Sequence, residues 1–368
     1  MSEPLGVSII VVNYNNERFL AAAIDSALGQ DHPLCEVVVV DDCSTDNSRA
    51  IIARYGDRTR SVLRETNGHQ IAALNSAWPL ARYPILIFLD SDDLLLPHAA
   101  SRITAGWSAG TVKAQFPLVS IDKAGRPIGH VAPKYPSNLN TAMIREALLH
   151  SSQSPSSPGS GNAYSRSLLE RVDEDGGFDL DNLRDYWMDN ILECNAPFYG
   201  DIVTIHEPLA CYRMHDSNLF LPNTIDHARF VRMSDTFALT LNYFAQRCRK
   251  WGIPFDPTAA SNLSPWLLDC RLVMTKLAPS NDTSREPISK ILYYGLKAYI
   301  GDKGPIGVRI VRALWFVSVA LSPKRLASWL IALRFRVAQR PRWVVLLFAM
   351  LRKSRPPHGW RRVQKTTP

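Results

Sequence analysis

The sequence predicts an α/β fold, an open and mostly parallel sheet with helices on both faces. Short apolar runs of strand length alternate with segments of helical periodicity over the first 100 residues, as in parallel sheets built from strand–helix–strand units. Polar side chains follow three of the apolar runs, at Asn13, at Asp41 and Asp42, and at Asp90 and Asp92. Since ligands bind beyond the carboxyl ends of parallel strands, these clusters predict one binding edge.

The first strand is predicted at residues 7–12, where the sequence is VSIIVV. Asn15 and Asn16 are good caps for the helix that follows, in which Leu20, Ile24 and Leu28 recur every four residues. The same reading predicts a strand at 36–40, a helix at 44–55, a strand at 61–64, a helix at 69–81 and a strand at 85–89.

Beyond residue 112 the pattern weakens. Residues 112–131 suggest a hairpin that turns at 123–125, and the Ser, Pro and Gly content of 151–161 predicts a mobile loop. Residues 223–300 read as mostly helical, with breaks at 254–257 and 278–287. With 368 residues we expect about two units. The pattern divides the chain into a sheet domain at 1–222, a helical extension at 223–300 and a tail at 301–368.

The charge of the chain is concentrated in its tail. Residues 301–368 carry 15 Lys and Arg against one acid, a net charge of +14, whereas the whole chain carries +8, so the first 300 residues carry 8 − 14 = −6. A hydrophobic content of 46% with 21% charged residues is typical of globular proteins and excludes wholesale disorder. The six cysteines lack disulfide or metal spacing, which predicts a reduced, cytoplasmic setting.

Asp90 and Asp92 end the most apolar of the predicted strands. Residues two apart at a strand end point the same way, so the two carboxylates are expected on one side of a crevice. Such a pair repels unless a cation lies between its members, and divalent cations prefer oxygen ligands. The alternative at this stage is a solvated acidic turn that caps the next helix.

Six segments, taken together and in order, resemble family 2 glycosyltransferases of the GT-A fold. They are VSIIVVNYNNERFL (7–20), VVVVDDCSTDNS (37–48), NGHQIAALNSA (67–77), FLDSDDLLLP (88–97), SGNAYSRSLLERV (160–172) and EPLACYRMHDSN (207–218). The resemblance implies an inverting transferase that moves a sugar from a nucleotide diphosphate donor, by family habit a UDP-sugar, to an acceptor hydroxyl.

Three residues are implied by the resemblance to bind the donor. Tyr14 would lie against the nucleotide base, Asp42 would accept hydrogen bonds from the uracil or ribose, and Gln70 would contact the donor. Ordinary alternatives are a half-buried tyrosine at the strand end and, for Asp41 or Asp42, the capping of the next helix. His69 stands where the family often has glycine.

Three further residues are implied to form a site for Mn²⁺ or Mg²⁺. Asp92 would bind the cation directly, Asp90 would reach the ribose or a metal-bound water, and His215 would complete the metal shell. Without the family, a lone histidine after a strand reads as packed or solvated. The cation would stabilise the charge on the departing nucleotide diphosphate.

The resemblance also implies a catalytic aspartate that takes the proton from the acceptor hydroxyl. The family spacing to Gly200 selects Asp189, although Met188 then replaces the acid that usually precedes the base. Asp185, one helical turn earlier, is the rival. No Gln-x-x-Arg-Trp motif follows, which is typical of non-processive transferases.

The tail contains two apolar blocks, 313–321 and 343–351, that arginines and lysines flank. Neither reaches the roughly 18 apolar residues that span a membrane. Apolar, aromatic and basic residues in this arrangement suit helices that lie on an anionic membrane surface. The alternatives are a helical bundle with a solvated basic face, or a dimer interface. Nucleic-acid binding is disfavoured, because aromatic and basic residues do not interleave on a recognisable module.

The sequence thus predicts a metal-dependent glycosyltransferase, peripheral on the cytosolic face of the inner membrane. Its acceptor would be a lipid-linked or other saccharide, as in surface polysaccharide biosynthesis. The alternative is a non-catalytic nucleotide-sugar-binding scaffold at the membrane, which Met188 favours. A nucleotidyltransferase is disfavoured, because residues 13–16 are not a Gly-rich phosphate loop.

Overall fold

The computed structural model describes residues 5–179, 186–215, 218, 225–279, 286–301 and 306–335. The chain divides into two compact units, the first with Met1–Asp216 and Asp235–Ser261, the second with Ser217–Ser234 and Asn262–Pro368. These units differ from the predicted borders at 222 and 300. The difference arises because the long helix His227–Lys250 is divided between the two units, and because helices on both sides of residue 300 share one core.

The strands of the described residues form two sheets. They are β1 Val7–Asn13, β2 Cys35–Asp41, β3 Arg60–Leu63, β4 Ile85–Asp90, β5 Leu94–Leu95, β6 Thr111–Gln115, β7 Leu118–Ile121, β8 Pro127–Ala132, β9 Asn162–Ser165, β10 Asp201–Thr204 and β11 Ala210–Arg213. In the described chain the larger sheet has the order β3-β2-β1-β4-β9-β6-β10, and only β9 runs antiparallel to its neighbours. The smaller sheet has the order β5-β11-β7-β8.

The helices of the first unit follow the strands in alternation. They are α1 Glu17–Leu28, α2 Ser48–Ala53, α3 His69–Ala77, α4 Ala99–Gly106, α5 Thr141–Ser151, α6 Arg166–Glu174 and α7 Met188–Tyr199. The chain continues with α8 His227–Lys250, α9 Pro257–Leu263, α10 Pro265–Leu277, α11 Ile288–Gly301, α12 Ile306–Leu321 and α13 Lys324–Phe335. The predicted helices at 44–55 and 69–81 are shorter than expected, because turns or 3₁₀ segments occupy their ends.

Alternate residues of each central strand enter different cores. Ile10, Val38 and Val40 pack with α3, α5, α6 and α7, whereas Ile9 and Val39 pack with α1, α2 and α4. A strand that is buried on both faces reads as an unbroken apolar run, which is why β1, β2 and β4 lack alternation. The predicted α/β sheet with helices on both faces is confirmed.

The predicted hairpin at 112–131 is partly wrong. Its turn is present, since the amide of Gly125 donates to the Asp122 carbonyl and β7 pairs with β8. Residues 111–115, however, form β6 of the larger sheet, between β9 and β10. The segment at 151–161, predicted as a mobile loop, contains Ser157 and Ser160, which are buried and hydrogen-bonded.

In the second unit, α10 to α13 enclose an apolar core. Leu268, Ile291, Phe316 and Ile331 are among its fully buried members. Part of the apolar block at 313–321, which was predicted to lie on a membrane surface, therefore packs inside the second unit. The buried carboxylate of Asp269 accepts hydrogen bonds from the Tyr299 hydroxyl and the Arg334 guanidinium. The second apolar block, 343–351, lies outside the described residues. No described helix has the length and hydropathy that a membrane span needs.

Candidate active site

Parallel register brings the predicted polar clusters to one edge of the larger sheet. Val12 lies beside Asp90, and Asn13 lies beside Asp41. The amide of Ser91 donates to the Val12 carbonyl over 3.1 Å, and the Asn16 side chain donates to the Ser91 hydroxyl over 3.0 Å. The ends of β1, β2 and β4 therefore form one continuous polar rim.

The two aspartates at the end of β2 have different partners. The Asp41 carboxylate accepts hydrogen bonds from the Ser44 amide, the Asn13 side chain and the Arg49 guanidinium, so it fixes the turn before α2. Asp42 accepts from Arg64 Nε over 2.8 Å. Neither aspartate caps α2, which begins after Asn47, so the capping role considered for the pair is replaced by the bond of Asp41 to the turn.

Asp42 also accepts from the Gly68 amide over 3.0 Å, which joins β2 to the turn before α3. In that turn His69 has a φ of 63°, in the left-handed region where glycine is favoured.

Tyr14 follows β1 and is 50% exposed, so its ring lies at the rim. The Gln70 side chain donates to Asp90 Oδ1 over 3.4 Å.

Asp92 and His215 are in direct contact. His215 Nε2 lies 2.8 Å from Asp92 Oδ2, and the imidazole packs against the Phe19 ring with centroids 5.0 Å apart. The histidine follows β11 and the aspartate follows β4, so the smaller sheet brings a residue from 123 positions away to the end of the larger one. This pair is the part of the predicted metal set that the structure brings together.

The third acid of the turn, Asp93, is buried and hydrogen-bonded to β11. Its carboxylate accepts from the Arg213 amide over 2.9 Å, and the Arg213 side chain donates to the Asp92 carbonyl over 2.7 Å. Burial, with the charges of Asp92 and Asp90 beside it, raises the pKa of Asp93 well above its usual range. Asp93 therefore fastens β11 to the acidic turn.

The donor set at this turn is suited to a hard cation that also binds phosphate. Within the described ranges, no three His, Cys, Asp or Glu side chains are grouped closely enough to hold a metal ion by themselves. Asp92 and His215 are two adjacent groups that could bind a metal ion. Mg²⁺ is usually bound by one or two carboxylates together with substrate phosphates, so the Asp92 carboxylate fits that use, with phosphate oxygens to complete the site.

Asp189 is the first acidic residue of α7 and lies across a cavity from Asp90. The two carboxylates line this cavity together with Gln70, Gly159 and Tyr164. Gln70 connects the two sides, since its carbonyl accepts from the Met188 amide over 3.2 Å while its amide contacts Asp90. The rival base, Asp185, lies outside the described residues.

Both carboxyl groups of the cavity are electrostatically strained. Burial, with repulsion from Asp92 and Asp189, raises the pKa of Asp90 to about 7. Burial also raises the pKa of Asp189, although backbone amides of Asn190 and Gly159 and the charge of Lys113 oppose the shift. Carboxyls whose pKa is raised toward neutrality are typical of acid–base sites.

A buried lysine lies beneath Asp189. Lys113 in β6 is 2% exposed, its Nζ donates to the Ser156 hydroxyl over 2.9 Å, and Glu193 Oε1 is 3.7 Å away. Glu193 lies one turn after Asp189 on α7, so both carboxylates face the same cation. Burial raises the pKa of Glu193 to about 7 and lowers that of Lys113, which their attraction opposes.

Lys113, Glu193, Tyr164 and Arg213 are site residues that sequence reasoning missed. Lys113 lies in a strand that is buried throughout, and a charged residue in a buried strand is the signal that could have found it. Tyr164 and Arg213 stood inside quoted motifs but had no assigned role. Glu193 carried the helical spacing from Asp189 and gave no other signal.

Comparisons with known proteins agree with this geometry. The sequence model of Glycosyl transferase family 2 matches residues 8–173. An uncharacterized glycosyltransferase of Nostoc sp. is 34% identical over 218 residues, which are 58% of this chain and 66% of that relative. The match therefore spans just under two thirds of the relative's length.

Two solved structures share the fold. TarS 1–349 of S. aureus, in complex with UDP-GlcNAc, aligns with a TM-score of 0.51 at 15% identity, over 86% of this chain and 90% of that one. The mannosyltransferase PcManGT of Pyrobaculum calidifontis, in complex with GDP-Man and Mn²⁺, aligns with a TM-score of 0.50 at 18% identity, over 92% and 89%. The GT-A fold is confirmed, and residues 8–173 of the chain match glycosyltransferase family 2.

Proposed function

We propose that the protein transfers a sugar from a nucleotide diphosphate donor to an acceptor hydroxyl, with inversion at the anomeric carbon. The observation that carries the proposal is the cavity that Asp90 and Asp189 share, next to the Asp92–His215 pair. It supports a donor-binding rim and a proton acceptor at one sheet edge, which a transfer reaction needs.

In this proposal each residue of the rim has one task. The exposed Tyr14 ring stacks on the nucleotide base, and Asp42 accepts hydrogen bonds from the nucleoside. Asp189 takes the proton of the acceptor hydroxyl. At the same time the acceptor oxygen bonds to the anomeric carbon, and the bond from that carbon to the diphosphate oxygen breaks. The family relationship supports inversion, since one direct displacement inverts the centre.

Asp92 and His215 are the residues that would hold Mn²⁺ or Mg²⁺, with Asp90 at the ribose or a metal-bound water. A cation held by these residues would supply positive charge to offset the negative charge of the departing diphosphate. The contact between Asp92 and His215 supports this assignment, and the Mn²⁺ complex of PcManGT is consistent with it.

A screen of nucleotide release tests the function directly. The full-length protein is incubated with UDP-, GDP- and dTDP-sugars, with saccharide acceptors, and with Mn²⁺, Mg²⁺ or chelator. We expect the nucleotide to be released from one of the sugar donors, and only when a divalent cation is present. Asp92→Ala should abolish this release without unfolding the protein. Binding of a sugar nucleotide with no turnover on any acceptor would support the scaffold reading instead.

We further propose that the acceptor is lipid-linked and that the second unit lies on the cytosolic face of the inner membrane. One side of α12 presents a stripe of exposed apolar residues, Ile306, Ile310, Leu314 and Leu321, opposite its buried residues. The exposed Lys324 and Arg325 begin the next helix. This combination supports contact with anionic headgroups, where each basic residue contributes about 1 kcal/mol.

Vesicle sedimentation tests the membrane contact. We expect the protein to bind vesicles that contain phosphatidylglycerol more strongly than phosphatidylcholine vesicles, and Leu314→Asp to weaken that binding. Ser137→Asp places the same charge at an exposed position of the first unit, away from the stripe, and serves as the control. Equal binding of both variants would remove the stripe from the proposal.

A further inference from the structure

The hydroxyl of Tyr164 is buried and has no hydrogen-bond partner among the described residues. Tyr164 lies in β9, pairs with Leu86 of β4 and is only 1% exposed. Buried polar groups are nearly always hydrogen-bonded, and one that is left alone destabilises the fold. Packing of the protein alone therefore does not explain why this hydroxyl is buried without a partner.

Its surroundings point to a ligand. Tyr164 lines the cavity that Asp90 and Asp189 share, between the rim that would hold the donor and the candidate base. The cavity measures about 10 Å³, roughly the room of one water molecule. The cavity that Tyr164 lines therefore has room for a single oxygen-sized group.

The chemistry of the hydroxyl defines that group further. Burial, and the negative charges of Glu193 and Asp189 close by, raise the pKa of Tyr164 well above its usual range, so the phenol keeps its proton. A protonated phenol can donate to an oxygen acceptor. The Asp189 carboxylate accepts a hydrogen bond from the Asn190 amide, and the Asp90 carboxylate accepts one from the Gln70 side chain, so both already have donors.

We propose that the Tyr164 hydroxyl donates a hydrogen bond to a hydroxyl oxygen of the bound substrate, within the cavity beside Asp189. The oxygen belongs either to the transferred sugar or to the acceptor. The inference rests on the proposed function, because it assigns a further residue of the same site.

The substitution Tyr164→Phe removes only the hydroxyl and keeps the ring. We expect kcat/KM for the sugar nucleotide and acceptor found in the screen to fall about tenfold, the value of one lost hydrogen bond. We expect the melting temperature to stay the same or rise, since no protein hydrogen bond is lost.

Tyr243→Phe is the matched control. The Tyr243 hydroxyl is also buried, but it accepts a hydrogen bond from the Asn195 side chain over 2.6 Å, away from the cavity. This variant is expected to melt at a lower temperature while it keeps the wild-type kcat/KM. The two tyrosines should therefore show opposite responses in stability and in activity.

Two binding measurements separate the sources of the oxygen. If the transferred sugar supplies it, Tyr164→Phe weakens binding of the sugar nucleotide but leaves binding of the free nucleoside diphosphate unchanged. If the acceptor supplies it, both affinities stay at the wild-type values and the kinetic loss depends on the acceptor.

An unchanged kcat/KM in Tyr164→Phe overturns the proposal and indicates a buried water as the partner. A melting temperature that falls as far as that of Tyr243→Phe also overturns it, because the hydroxyl would then have a structural partner. The melting arm needs no substrate. If no sugar nucleotide is turned over by the wild type, the proposed function fails separately, while this arm still decides whether the hydroxyl is structural.

Discussion

Adjacent carboxylates at this site have different roles because the backbone turns between them. Asp41 is the last residue of β2 and its carboxylate bonds to the following turn, whereas Asp42 reaches Arg64 and the Gly68 amide. At the end of β4, Asp92 contacts His215 and Asp93 bonds to the Arg213 amide. The residue type is thus common to all four, and the local hydrogen bonds decide the role of each.

Asp189→Asn should lose turnover and keep donor binding. The amide cannot accept the acceptor proton, so we expect kcat to fall by about 10²- to 10⁴-fold, while the nucleotide affinity measured by calorimetry stays unchanged. In the wild type, the raised pKa of Asp189 means that activity should increase with pH through a value above the usual range of aspartate.

Asp185→Asn is the comparison variant for the base. If Asp189 is the base, Asp185→Asn retains turnover to within a few-fold. Loss of turnover in Asp185→Asn, with Asp189→Asn active, would transfer the role to Asp185.

Glu193→Gln should change how stability depends on pH. The pKa of Glu193 is raised from its usual 4.5 to about 7, so between these values the folded protein keeps a proton that the unfolded chain has lost. The free energy of unfolding contributed by this group therefore falls as pH rises from about 4.5 to about 7, and is constant above.

Urea titrations of the wild type and of Glu193→Gln over this pH range measure the effect. We expect a shallower decline in the variant, because one of the protons linked to folding is removed. Parallel curves for the two proteins would show that Glu193 is ionised in the folded state throughout.

The elements that position the site differ in how visible they are in the sequence. β1, β2 and β4 are continuous apolar runs and were predicted within one or two residues. β6, β9 and β10 have four or five residues and no distinctive period, so local pattern could not give their place in the sheet. Partners far apart in sequence, such as Lys113 and Glu193, depend on that placement and were missed for the same reason.

Gly159, between α5 and β9, should be sensitive to any side chain. A Cβ at this position would lie 2.9 Å from Asp90 Oδ2, closer than real Cβ contacts allow. Gly159→Ala should therefore displace the Asp90 carboxylate and raise KM for the donor, by about tenfold if one charge-assisted hydrogen bond is lost.

Gly307→Ala in α12 is the control, because a Cβ there meets nothing within 4 Å. It should leave KM unchanged. A wild-type KM in Gly159→Ala would mean that Asp90 can move aside without loss of donor binding, which contradicts its proposed contact with the ribose.

At the scale of the whole chain, part of the basic tail belongs to the core of the second unit. The sequence shows its charge and its two apolar blocks, and from these a surface-bound tail from residue 301 was predicted. The structure instead places Phe316, Val319 and Ile331 in the core of the second unit. Composition alone could not separate the residues that pack from those that remain exposed, because α12 is apolar on both sides.

A truncation series tests this reading of the tail. Ending the chain at residue 300 removes α12 and α13, exposes the core residues of α10 and α11, and leaves the buried Asp269 without Arg334. Loss of one partner of a buried ion pair alone costs about 3–5 kcal/mol. We therefore expect the 1–300 protein to lose helical circular dichroism and to aggregate, whereas a protein that ends at Phe335 stays folded and monodisperse. A 1–300 protein that melts as cooperatively as the 1–335 protein would show that α12 and α13 contribute nothing to the stability of the second unit.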